Sequence, residues 1–145
     1  MIDAQIATLL LTHLETEAAN LSPPMSVAWP NRSFAPTAAP WLRATLLPAM
    51  TETVTTDSDR KAGLLQVDVF HKPNIGEIEL LRIADQIIRV FSAQTRFEAD
   101  DGFSPSTHIV VQIEPSPYRL ALSVEESWAM VPIRIPWLCY INRGD

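Results

Sequence analysis

At 145 residues the chain fits one domain, since domains commonly run roughly 100 to 200 residues, and it can bury a real core. With 47% apolar and 19% charged residues its composition is globular, which excludes a disordered or membrane-embedded class. Eleven basic against seventeen acidic side chains leave a net charge of -6, whose field repels phosphate backbones and argues against tight nucleic-acid binding.

The opening "MIDAQIATLLLTHLETEAANL" has no cationic start and no small-residue cleavage site, and Thr8, Thr12, His13 and Glu15 interrupt it. It therefore reads as neither signal peptide nor membrane span, and the expected compartment is the cytoplasm or a particle assembled there. Asp3 is placed to cap a helix in which Ile2, Ile6, Leu9, Leu10, His13 and Leu14 recur at helical spacing. Gln5, Thr12, Glu15 and Thr16 take the other side. The helix should end near Asn20, because "SPP" follows.

Pro30, Pro36 and Pro40 then force an extended belt, with one short strand around Val27 to Trp29. "WLRATLL" alternates, with Leu42, Ala44 and Leu46 on one face, and "LLQVDVF" does the same through Leu65, Val67 and Val69. Two antiparallel strands joined by a long polar loop, "PAMTETVTTDSDRKAG", are expected. That loop exceeds the roughly two to five residues of a tight hairpin, and excess loop on a small domain is often contact surface.

In "KPNIGEIELLRIADQIIRVFSA", Asn74 and Glu77 have the spacing of a capping box. Leu80, Leu81, Ala84, Ile87, Ile88 and Phe91 form an apolar face, with Glu79–Arg82 and Asp85–Arg89 as pairs on the exposed side. The remainder reads as successive strands turning at Asp101-Gly102, Pro115-Ser116-Pro117 and Glu125-Glu126. Pro132 and Pro136 in the last strand predict an edge or bulged position, since proline cannot donate to a ladder. The order predicts an α+β sandwich, a mostly antiparallel β-sheet packed against two amphipathic helices.

Catalytic chemistry finds little support. Asp68, His71 and Glu77 crowd together, but alternation sends Asp68 and His71 to opposite faces and Glu77 is assigned to the helix start. His13, His71 and His108 lack second ligands at zinc spacing, so no metal or cofactor is expected. No GxSxG, Walker-type loop, HExxH or GxGxxG occurs. "EADDG" lacks the alternating ligands of a calcium loop and reads as an acidic hairpin turn. Cys139, the single cysteine, reads as a buried small hydrophobe. Trp29, Trp41, Trp128 and Trp137 read as core or interface packing.

Taken together, "VAWPNRSFAP", "PWLRATLLP", "GLLQVDVFHKPNIGEIELLRIADQIIRVF" and "SWAMVPIRIPW" resemble the tail-terminator proteins of long-tailed bacteriophages, the family of the phage lambda terminator, over nearly the whole chain. Trp29-Pro30-Asn31 stands where many members of that family carry Trp-Glu-Asn, so no role is carried over to Pro30. The resemblance implies a non-enzymatic α+β subunit that forms a ring, usually a hexamer, at the end of the tail tube. The ring stops tube growth and meets head-completion proteins, while DNA passes through without specific binding. The loop argument nominates Thr51, Glu52, Thr53, Thr55, Thr56, Asp57, Asp59, Arg60 and Lys61 as subunit or tube contacts, with Asp68, Asp100 and Asp101 beside them. The alternatives are another neck or tail-completion protein, or a small-molecule binding module using the strand face of Asp68.

Overall fold

A computed structural model describes residues 2–35, 38–55, 58–100, 108–125 and 127–142. The elements run α1 (Ile2–Ala18), β1 (Ser26–Ala28), β2 (Trp41–Thr55), β3 (Ser58–His71), α2 (Glu77–Val90), β4 (Arg96–Asp100), β5 (His108–Ile113), β6 (Tyr118–Arg119), β7 (Ser123–Glu125) and β8 (Trp128–Asn142). The eight strands form one sheet in the order β1-β2-β3-β8-β5-β4, with β6 and β7 also pairing β8. β1 joins β2 in parallel, and the other pairs are antiparallel. This is the expected α+β class.

Register explains the core. Leu42, Val69 and Val131 stand side by side across β2, β3 and β8; so do Ala44, Val67 and Ile133. Further along, Val111 and Ile113 of β5 meet Cys139 and Trp137. These residues share the face that both helices cover. From α1 come Ile6, Leu10, Leu14 and Ala18, and from α2 come Leu80, Ile83, Ala84, Ile87 and Phe91, all buried. The centre of the α2 stripe is Ile83 where the sequence pointed to Leu81, which is only half-buried.

Three local expectations are corrected. The described residues of the long polar loop, 48–55 and 58–63, are strand: β2 and β3 stay paired from Trp41↔Phe70 to Thr55↔Ser58, with register shifts between Leu47/Met50 and Thr53/Thr55. Threonine-rich polar sequence here is strand-forming, since β-branched side chains suit a pleated surface with a wet face. The capping box does not form, because α2 starts later: its N-cap is Gly76 at φ 89, with no side-chain cap. Asn74 instead takes a left-handed conformation, φ 65, within the preceding turn, a role asparagine fills as readily as capping. The Glu79–Arg82 pair forms at 3.2 Å, whereas Asp85 and Arg89 make no salt bridge.

The third correction concerns β8, which is central and not at an edge. Its prolines survive because of how its second side is filled. Three short strands pair there in succession: β7 opposite Trp128 to Met130, β6 opposite Ile133 and Arg134, and β5 opposite Trp137 to Asn142. Pro132 and Pro136 fall in the gaps, and their carbonyls accept from Leu120 N at 2.8 Å and Glu114 N at 3.2 Å. In a strand the N–H and C=O of a residue point the same way, so the missing donors face the gaps and leave the β3 ladder intact.

Candidate functional site

On the helix-free face of the sheet, Asp68 is buried at 1% exposure. Arg43, opposite it on β2, donates from Nε at 3.0 Å and Nη2 at 2.9 Å, and Gln66 Nε2 donates to the other carboxylate oxygen at 2.9 Å. Arg134 reaches Gln66 Oε1 at 3.4 Å. The Arg43 guanidinium also lies 4.8 Å above the Phe70 ring, a cation–π contact. Phe70 stacks on Trp41 at 4.2 Å, and Phe34 and Trp128 close around that indole. Asp68 is thus on the face that alternation assigned, but buried and held by three donors, and its pairing with Arg43 joins β3 to β2.

The histidines stay apart. His13 Nε2 lies 3.0 Å from the carbonyl of Val90, between Phe91 and Phe97. His108 meets Glu98 at 3.3 Å. His71 ends β3, and partial burial lowers its pKa below 6.5 while Glu79 opposes that shift. Among the described residues no three His, Cys, Asp or Glu side chains gather to hold a metal. Cys139 is wholly buried, which pushes its thiol up to about 11, so the nucleophilic thiolate is suppressed.

The nominated contact residues behave differently. Thr51, Glu52, Thr53 and Thr55 lie on β2, and Asp59, Arg60 and Lys61 on β3, in the half of the hairpin nearest its turn. Ser58 pairs with Asn142, Asn142 with His108, and His108 with Asp100, so the last pairs of β2–β3 and of β4–β5 lie at the same end of the sheet. Charged residues distant in sequence are therefore placed at one end of the sheet, Glu52, Asp59, Glu98 and Asp100 together with Arg60, Lys61 and Arg96, whose guanidinium lies 3.7 Å from Glu98. Thr56, Asp57 and Asp101 lie outside the described residues. Lys61 is tied inward by an ion pair with Asp3 of α1. Asp68 belongs to the other half of β3, away from this end.

One surface escaped the sequence reading. An open groove of about 530 Å³ lies between the 72–77 turn and the segment from Arg119 to Val124. Ile75 and Val124 of its lining are exposed.

No curated protein matches the chain in sequence. A solved structure at 21% identity covers 99% of this chain and 96% of its own with a TM-score of 0.73, which establishes a shared fold. A family profile described as phage tail terminator protein matches residues 5–137. That span takes in both helices and all the strands up to the middle of β8, and on it the chain belongs to the phage tail terminator family, a structural family of the virion tail that acts in tail completion.

Proposed function

We propose that this protein terminates the phage tail by closing into a ring of identical subunits, six by the family resemblance, on the end of the tail tube. The ring stops tube polymerisation and presents its far side to the head-completion protein. DNA passes through without specific contact, consistent with a net charge of -6. The observation that carries the reading is the end of the sheet where residues 51–55 and 58–61 stand with Glu98 and Asp100 beside the end of β8. Polar residues far apart in sequence form one surface there, and no catalytic constellation competes with it among the described residues.

The test is assembly of tail tube protein in vitro with and without this chain, followed by electron microscopy. Tubes of bounded length with a ring-like cap are expected. Tubes that grow to the same unregulated length in both samples would assign the chain to a different step of tail completion.

A further inference from the structure

The groove between the 72–77 turn and residues 119–124 holds about 530 Å³, room for several side chains. Leu80 of α2 and Ala129 of β8 are buried members of its lining, while Ile75 is 40% exposed and Val124 66%. Burying such side chains on association is favourable in proportion to the apolar area removed from water. Two cations, Lys72 and Arg119, share this lining with a single acid, Glu77, and neither makes a salt bridge among the described residues. Arg43, Lys61, Arg82 and Arg96, by contrast, each lie against a carboxylate of their own chain. The strand that brings Val124 to the groove, β7, pairs with β8 on one side and has no strand on the other among the described residues. A free edge of this kind accepts an added strand through its backbone groups.

We propose that this groove binds an extended acidic segment of a partner protein, laid along the free edge of β7 with an apolar side chain against Leu80 and Ala129 and carboxylates at Lys72 and Arg119. Each part of the occupant answers one feature of the groove. The open strand edge selects an extended polypeptide, because a row of backbone donors and acceptors is matched by another backbone. The apolar lining selects a hydrophobic side chain as anchor. The net positive charge of the lining selects carboxylates, and such complementary potentials set orientation and reject segments of the wrong sign. Glu77 opposes an acid at the start of α2, so the carboxylates are assigned to Lys72 and Arg119, the two charges without a partner. Duplex DNA matches the groove poorly, since it has no peptide groups to pair with a strand edge and meets a chain of net charge -6. The assignment does not depend on how subunits close on one another.

A displayed library of short random peptides, selected against the immobilised full chain, tests the idea, with Kd then measured by fluorescence anisotropy for labelled peptides from the selection. Enriched sequences should combine aspartate or glutamate with an apolar residue. Lys72→Glu with Arg119→Glu should weaken their binding about tenfold, as should asparagine or glutamine in place of the peptide's acids, and lysine in place of those acids should restore binding to the reversed groove. Val124→Asp should also weaken binding, with an unchanged thermal unfolding midpoint, and N-methylation of the peptide backbone should abolish it if the segment adds to β7. No enrichment, enriched peptides without acids, or affinities unchanged in both groove variants would overturn the proposal. Self-association of the wild-type chain that the peptides displace would make the groove an interface between copies, and the proposal would fall. Tube length in the assembly assay reports on termination separately, so either reading can fail without the other.

Discussion

Asp68 shows how one side chain can look catalytic and serve the fold. Its carboxylate accepts from Arg43 and Gln66 while being 1% exposed. Asp68→Ala would leave the Arg43 guanidinium and the Gln66 amide without their acceptor, and should cost about 2–3 kcal/mol in urea unfolding, tempered by the partial hydration of Arg43. Cys139 gives a second prediction. Burial raises its pKa to about 11 from 9.0, so the folded state resists losing that proton more than the unfolded state does. The associated stability is complete below about pH 9 and is lost as pH rises towards 11. Alkaline unfolding should accordingly be less steep in Cys139→Val, and the wild-type thiol should react with an alkylating reagent only as denaturant unfolds the chain. The polar identity of Asp68 was legible in the sequence, but its burial was not. Alternation fixes which face a side chain takes, whereas the donors that accompany the burial of Asp68 include Arg43 of β2, remote along the chain.

At the scale of elements, the stretch "GLLQVDVF" is joinery from end to end. Leu65, Val67 and Val69 enter the core, Gln66 and Asp68 bind Arg134 and Arg43, and Phe70 stacks on Trp41. Gly63 opens the stretch because the Trp137 ring lies against it: a Cβ there would stand 2.5 Å from Trp137 Cζ2. Gly63→Ala should therefore displace the indole and lose about 1–3 kcal/mol, read as a fall in thermal midpoint. Gly76 differs in kind. It has open space where a Cβ would go but sits at φ 89, so Gly76→Ala should cost about 1 kcal/mol through backbone strain alone. The two helices and most strands were readable because hydrophobic period is a local property. The start of α2 was misread because Asn-x-x-Glu satisfies both a capping box and a left-handed turn followed by glycine. β8 was misplaced because a proline rule drawn from one strand cannot know that three separate partners leave gaps at positions 132 and 136.

For the whole molecule, the net charge of -6 leads to a further expectation. Duplex DNA should show no mobility shift with this protein even at low salt, where phosphate attraction would be strongest, and a salt-sensitive complex would contradict a ring that lets DNA slide through. The sequence by itself determined the class of the protein: two amphipathic helices, a largely antiparallel sheet, an acidic surface and the absence of catalytic motifs, all of which follow from residue type and local spacing. Only the tertiary structure decided that the polar stretches 48–55 and 58–63 are strand, since the pairing of 58–63 with β8 and the continuation of that ladder into β5 involve residues about half the chain away. The same long-range register gathers residues 51–55 and 58–61 with Asp100 at one end of the sheet and sets the groove of Lys72 and Arg119 at the other. Which surfaces a subunit offers to its neighbours depends on how distant strands align, and no local pattern encodes that alignment.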